Sequence, residues 1–168
     1  ISNAKLEISD NSLFEDNYSS TGAGAIYSIS TSLNIKDTTF KHNMTGNDGS
    51  VMIIESSTAA TKVTFDNVIF DSNHGLANTG QSLGTIYISK ASVDKTDPST
   101  YMEFKNCVFK NNIVAAGGAT ADISSKGNSI IFDNCEIYDN DTNGAAAFYI
   151  QSTDVIVKKS KIHDNYGG

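Results

Sequence analysis

The sequence has no Arg and no Trp, one Pro, two Cys, and no apolar run approaching the roughly 20 residues that a membrane-spanning helix needs. Each scarcity removes a class. All twelve basic residues are Lys, against 19 acidic ones, giving a net charge of −7. A nucleic-acid surface is excluded, because phosphate recognition calls for a cationic patch, usually with Arg forks. One Pro and 13 Gly exclude collagen-like and Pro-rich chains. With 39% hydrophobic and 18% charged residues the chain is too apolar for a disordered tail and too polar for a membrane span. No signal peptide is visible and the first residue is Ile, so a mature form or a fragment is expected. What is abundant is Ser, Thr and Asn, with 17 Asn. These are residues of turns and side-chain hydrogen bonding rather than of helices.

An internal repeat organises these residues. An aromatic residue or Ile followed three positions later by Asn recurs six times: Phe14–Asn17, Phe40–Asn43, Phe70–Asn73, Phe109–Asn112, Ile137–Asn140 and Ile162–Asn165. The Asn residues are 26, 30, 39, 28 and 25 apart. Upstream of each lies a short alternating run, such as Leu33-Asn-Ile35 or Met102-Glu-Phe104. A polar pair such as Lys36-Asp37 or Asp133-Asn134 separates run from motif, and a Gly-containing strand such as Gly24–Ile29 or Gly84–Ile88 follows. The apolar period is two, which disfavours a helical bundle. A single unit cannot bury its apolar face, so the units must stack.

Strands of three to six residues joined by bends suit a parallel β-helix of about six coils, three short strands per coil, filling residues 1–168 as one solenoid. Equivalent residues then lie ~4.8 Å apart, the spacing of neighbouring strands. Phe14, Phe40, Phe70, Phe109, Ile137 and Ile162 become an inward stack. Thr38, Val68, Cys107, Cys135 and Ser160 share that inward phase and are small. Asn17, Asn43, Asn73, Asn112, Asn140 and Asn165 become a ladder in which each amide bonds the next. A β-sandwich is the structural alternative, but it calls for tight two-residue turns, and only Asn143-Gly144 supplies one.

Segments pairing Gly-Gly-Ala-Ile-like and Phe-x-x-Asn sequences, clearest at Gly24-Ala-Ile26, Gly117-Gly-Ala119 and the six motifs above, resemble the repeats of chlamydial polymorphic outer-membrane proteins and related β-helical surface proteins. The resemblance covers nearly the whole chain. It implies a right-handed solenoid, an extracellular or cell-surface location, and roles that include adhesion. Two motifs carry Ile for Phe, and the doubled Gly survives only at Gly117-Gly118 and Gly167-Gly168. No membrane-embedded β-barrel segment accompanies them. Joining end to start would separate Asn165 from Asn17 by 20 residues, less than any observed period, so a slice of a longer repeat protein is expected.

Catalysis has little to rest on. Polysaccharide-active β-helices need clustered carboxylates, often with Ca²⁺ and a basic residue near the substrate's acid. Asp71, Asp139, Asp141 and Asp164 gather near the motif corner, yet stacking alone would place them there. Asp139, Asp141 and Asn143 before Gly144 match the first half of a calcium loop, but the twelfth position is Ile150 where a bidentate Glu belongs. That leaves a weak calcium candidate and no other cofactor. His42, His74 and His163 lack partners at metal spacing and read as exposed turn residues.

Three readings of function remain. The favoured one is a non-catalytic structural segment of a secreted or surface rod, self-associating end to end or side to side. The second is an adhesin binding glycans or proteins through loops 74–83 and 90–100, or through a column formed by Tyr27, Tyr87 and Tyr149. The third is a polysaccharide lyase or hydrolase. Cys107 and Cys135, 28 residues apart, should stack as two buried thiols rather than as a relaxed disulfide. The only sequons, at Asn17, Asn43 and Asn140, all fall on motif Asn residues, so a ladder predicts that they stay unglycosylated.

Overall fold

A computed structural model describes residues 1–46, 49–55, 62–76, 84–92, 102–115, 119–126, 129–151 and 154–168. All named strands pair in parallel, and each pairs with its equivalent one repeat away. The chain is therefore an all-β parallel solenoid with three sheets, and the sandwich is excluded. The sheets hold ten, five and six strands. Five turns visit all three sheets and a sixth visits two of them, slightly fewer complete coils than the six motifs suggest.

The segments distribute over the sheets differently from the simple unit of run, motif and Gly-strand. Run and motif belong to one long sheet, in places as a single strand, as in Ser32–Lys41 and Val63–Asp71. The strands that follow the Gly residues, such as Ile26–Ile29, Met52–Glu55 and Ala145–Ile150, form the five-stranded sheet. The remaining sheet is made of two-residue strands directly after each motif Asn, such as Tyr18–Ser19, Met44–Thr45 and Ile113–Val114. His74 starts one of these strands rather than a loop, pairing with Met44 and Ile113. Two residues were too short for an alternation pattern to reveal.

Two columns of non-Gly residues with positive φ turn the chain. The first, at the polar pairs, holds Asn11, Asp37, Asn67, Asn106, Asn134 and Lys159, with φ between 45° and 61°. The second, just before the ladder, holds Asp16, His42, Ser72, Asn111, Asp139 and Asp164, with φ between 52° and 58°. The left-handed region crowds Cβ against the backbone, and Asn and Asp tolerate it best. Nine of these twelve positions are Asn or Asp. One left-handed residue per corner bends the strand direction without a hairpin and keeps the coil pitch.

Inside, aromatic rings stack along the axis. Phe14, Phe40, Phe70 and Phe109 follow one another at centroid separations of 4.9, 5.4 and 4.5 Å. Phe65, Phe104 and Phe132 form a second column at 4.6 and 4.7 Å, meeting the first edge-on. Each buried ring contributes on the order of 1.5–3 kcal/mol by leaving water, and each aligned pair roughly 0.5–1.5 kcal/mol more. Ile137 is buried at the end of the first column, whereas Ile162 in the last coil is 43% exposed because no coil covers it. Gly24 lies two residues before the strand Ile26–Ile29, where a Cβ would sit 2.2 Å from the Ser50 carbonyl oxygen. That close approach explains the recurring Gly in this copy of the repeat.

The corner chemistry makes a direct prediction. Replacing Lys159, the one Lys at a left-handed corner, by Asn should stabilise the chain by about 0.5–1 kcal/mol, because Asn adopts that conformation more readily. Denaturant unfolding reads this as a raised midpoint with unchanged slope, and an unchanged or lowered midpoint would refute it.

Candidate functional site: the asparagine ladder and the outward columns

Each motif Asn between the terminal rungs closes its corner by bonding in both axial directions. The side-chain amide donates to the Oδ1 of the next coil's Asn at 2.8 Å for Asn17 to Asn43 and 3.0 Å for Asn43 to Asn73. The column continues at 2.9, 2.8 and 2.8 Å through Asn112 and Asn140 to Asn165. The same Oδ1 accepts the backbone N–H of the preceding Asn, at 2.9–3.2 Å. The second amide hydrogen goes backward, to the carbonyl of the preceding coil's Phe or Ile, at 2.8–3.0 Å. Asn43, Asn73, Asn112 and Asn140 are fully buried with both amide hydrogens engaged. Only a carboxamide combines one acceptor oxygen with two donors, which neither Ser nor Asp offers, and the short Asn side chain holds it at the corner in every copy.

This arrangement bears on the sequons. Asn43 and Asn140 are buried and hold their amides within the ladder, leaving no room for a sugar. Asn17 is exposed at the terminal rung, although its amide still donates to Asn43.

Outside, the register lines up charge of alternating sign. One column of the long sheet reads Lys36, Asp66, Lys105, Asp133, Lys158. A second reads Glu15, Lys41, Asp71, Lys110. Ion pairs join Lys41 to Glu15, Lys110 to Asp71 and Lys158 to Asp133, each at 3.3 Å. Exposed pairs contribute about 0–1 kcal/mol each, so their main effect is to forbid a one-coil slip, which would set like charges together. A groove of about 470 Å³ lies open on this sheet between Lys5, Lys36, Lys62 and Lys105 on one hand and Glu7, Asp66 and Glu103 on the other.

Asp71 shows what the column does to a carboxylate. Partial burial acts to raise its pKa, but hydrogen bonds from Asn111 and Ser72 and the Lys110 charge outweigh that and hold it below the ordinary value. A general acid needs the opposite shift.

The other candidates from the sequence are separated by the fold. Asp139 occupies a left-handed corner, the ladder Asn140 follows, and Asp141 lies in a two-residue strand paired with Ile113 and Tyr166. The Asn143 amide donates to the Ala115 carbonyl at 3.3 Å. The stretch on which the calcium reading of Asp139, Asp141 and Asn143 rests is therefore a corner followed by a short strand and a bend. Among the described residues no three His, Cys, Asp or Glu side chains group to hold a metal. His163 stacks on Tyr138 at 5.3 Å and bonds Asp164 and Glu136, which raise its pKa above the ordinary histidine value.

Tyr27 and Tyr149 point outward, 43% and 41% exposed, and Tyr87 is half-buried. Their register is Tyr27, Ile53, Tyr87, Asp122, Tyr149, so no two tyrosines are neighbours and the aromatic column is interrupted. Of the loops 74–83 and 90–100, positions 77–83 and 93–100 lie outside the described residues. Cys107 and Cys135 are both free and buried. Burial raises the Cys107 pKa well above the ordinary thiol value, and its Sγ lies 3.2 Å from the Lys105 carbonyl oxygen.

A family model described as a right handed beta helix region matches residues 84–168, just over half of the chain. Neither the curated proteins nor the solved structures contain a significant match.

Two predictions follow from these geometries. Asn112→Ala strands the Asn73 amide, the Asn112-facing Phe70 carbonyl and the Asn140 oxygen, and should cost about 2–4 kcal/mol. Asn17→Ala at the open rung should cost less than about 1 kcal/mol, so equal losses in urea unfolding would refute the cooperative ladder. Alkylation of the chain unfolded without reductant should place a label on both Cys107 and Cys135, while the native thiols react slowly. An unlabelled unfolded chain would mean a disulfide.

Proposed function

Because the chain belongs to the right-handed β-helix family, we propose that it is a non-catalytic structural segment of a secreted or surface-displayed rod. The observation that carries this reading is how the polar side chains are used. The ladder amides, the corner residues and both charged columns bond mainly to the coil above or below, as in Asn67 to Asp37 at 2.7 Å and Asn134 to Asn106 at 2.8 Å. Chemistry is spent on stacking rather than aimed at a cleft. A rigid rod is what such stacking builds, and further coils or copies would extend it.

A second reading is favoured by the outward Tyr27 and Tyr149, whose rings can stack on sugars. In that reading the rod displays a glycan-binding surface.

The test separates the readings. Incubated with acidic and neutral polysaccharides, with and without Ca²⁺, the chain should release no reducing ends or unsaturated products. Turnover abolished by Asp71→Asn would overturn the non-catalytic assignment. A glycan array should stay blank, and a signal removed by Tyr27→Ala or Tyr149→Ala would replace the rod reading with the adhesin.

A further inference from the structure

The small inward residues beside the first corner form a column of their own, in the order Thr38, Val68, Cys107, Cys135 and Ser160. Its two thiols are the only ones in the chain, and they stand on directly paired coils. The Glu136 N–H donates to the Cys107 carbonyl at 2.9 Å, which fixes that pairing. We propose that Cys107 and Cys135 form a two-coordinate site for one soft monovalent cation, copper(I), held between the two coils. The site stands whether or not the chain is part of a rod.

Spacing is the first argument. Paired strands set the two Cα atoms ~4.8 Å apart, with the side chains pointing the same way. A relaxed disulfide wants its Cβ atoms ~3.8 Å apart, closer than this stacking brings them. A linear sulfur–metal–sulfur unit spans ~4.6 Å, twice a metal–thiolate bond of about 2.3 Å. Stacked coils thus offer the separation that a linear ion takes and that a sulfur–sulfur bond does not. The two thiols already hydrogen-bond each other, so a small axial shift admits the ion.

The donor set selects the class of metal. Zinc closes a tetrahedron, and among the described residues no three His, Cys, Asp or Glu side chains group together. Calcium and magnesium want oxygen ligands. Two thiolates and no third side chain suit a soft ion content with two ligands, which is copper(I) among biological metals. Both cysteines share one apolar core with Phe65, Phe104 and Phe132, so the pocket is dry and favours an ion that sheds its water easily.

Protons and charge balance as follows. In the metal-free chain both thiols are protonated, with Cys107 Sγ 3.2 Å from the Lys105 carbonyl oxygen and Cys135 Sγ 3.3 Å from that of Phe104. Binding releases two protons to solvent and takes up one cation, leaving a single negative charge on the complex. The backbone N–H of Val68 donates to the Cys107 sulfur and that of Cys107 to the Cys135 sulfur, and both bonds favour thiolate. An open groove of about 250 Å³ lies at this corner, lined by both cysteines together with Lys159 and Lys161. Those two ammonium groups are held only by ion pairs of 3.9 Å to Asp133 and 4.0 Å to Glu136. The groove gives the ion a way in and places positive charge beside the complex.

The experiment titrates the reduced 168-residue chain, without oxygen, with copper(I) held by the chromophoric competitor bicinchoninate. One copper per chain should move to the protein, with a sulfur-to-copper charge-transfer band in the near ultraviolet. X-ray absorption should find two sulfur neighbours in line. Cys107→Ser and Cys135→Ser keep a residue type that Ser160 already places in this column, so each should retain the β-sheet circular dichroism spectrum. Each should lose at least ~100-fold in affinity, the upper range for loss of a mere supporting partner. Copper should also raise the urea midpoint of the wild type and leave both variants unmoved, because only a ligand of the folded state stabilises it. Copper that stays with the competitor, nitrogen neighbours from the surface histidines, or undiminished uptake by either variant would overturn the site.

Discussion

Everything in this solenoid depends on one constraint: a side chain must be able to sit on its equivalent in the next coil at the ~4.8 Å spacing of paired strands. Flat rings meet it by stacking, and the two Phe columns do so at 4.5–5.4 Å. Primary amides meet it by bonding, because a donor pair and an acceptor on one planar group repeat without a mismatch. Charges meet it only if their sign alternates, and in the long-sheet columns it does.

The corners translate that constraint into chain direction. Each turn of the ladder edge joins a left-handed residue to a buried Asn, so the strain of the backbone and the loss of its hydrogen bonds are answered at the same place. The left-handed residue aims the chain, and the Asn satisfies the carbonyl and N–H that the bend would leave unpaired. The burial of four amides is tolerable only because every one is complete, since a missing partner would cost more in this low-dielectric interior than in water. The end rungs, Asn17 and Asn165, are more exposed for the same reason. They lack one neighbour.

The outer surface follows the same logic with weaker forces. Ion pairs and corner amides between coils leave few polar groups directed at a common point, and Asp71 illustrates the result in its lowered pKa. A surface of this kind is suited to repetition. Its variation lies in the insertions that lengthen individual periods to 30 and 39 residues.

The sequence by itself determined the stacked β architecture, the inward Phe series and the Asn ladder, because those positions repeat the same residue at the same place and identity survives unequal spacing. It also showed the polar pairs, although not that Asn67, Asn106 and Asn134 are left-handed corners. Only the tertiary structure decided the rest. The alternation of Lys36, Asp66, Lys105, Asp133 and Lys158 looks irregular along the chain, since opposite charges at equivalent positions resemble a lost pattern until register joins them. The interruption of the tyrosines by Ile53 and Asp122 was hidden for the same reason. The two-residue strands after each Asn carry no period at all. A repeat is legible where stacking favours likeness; where stacking favours complements, only the neighbouring coil reveals it.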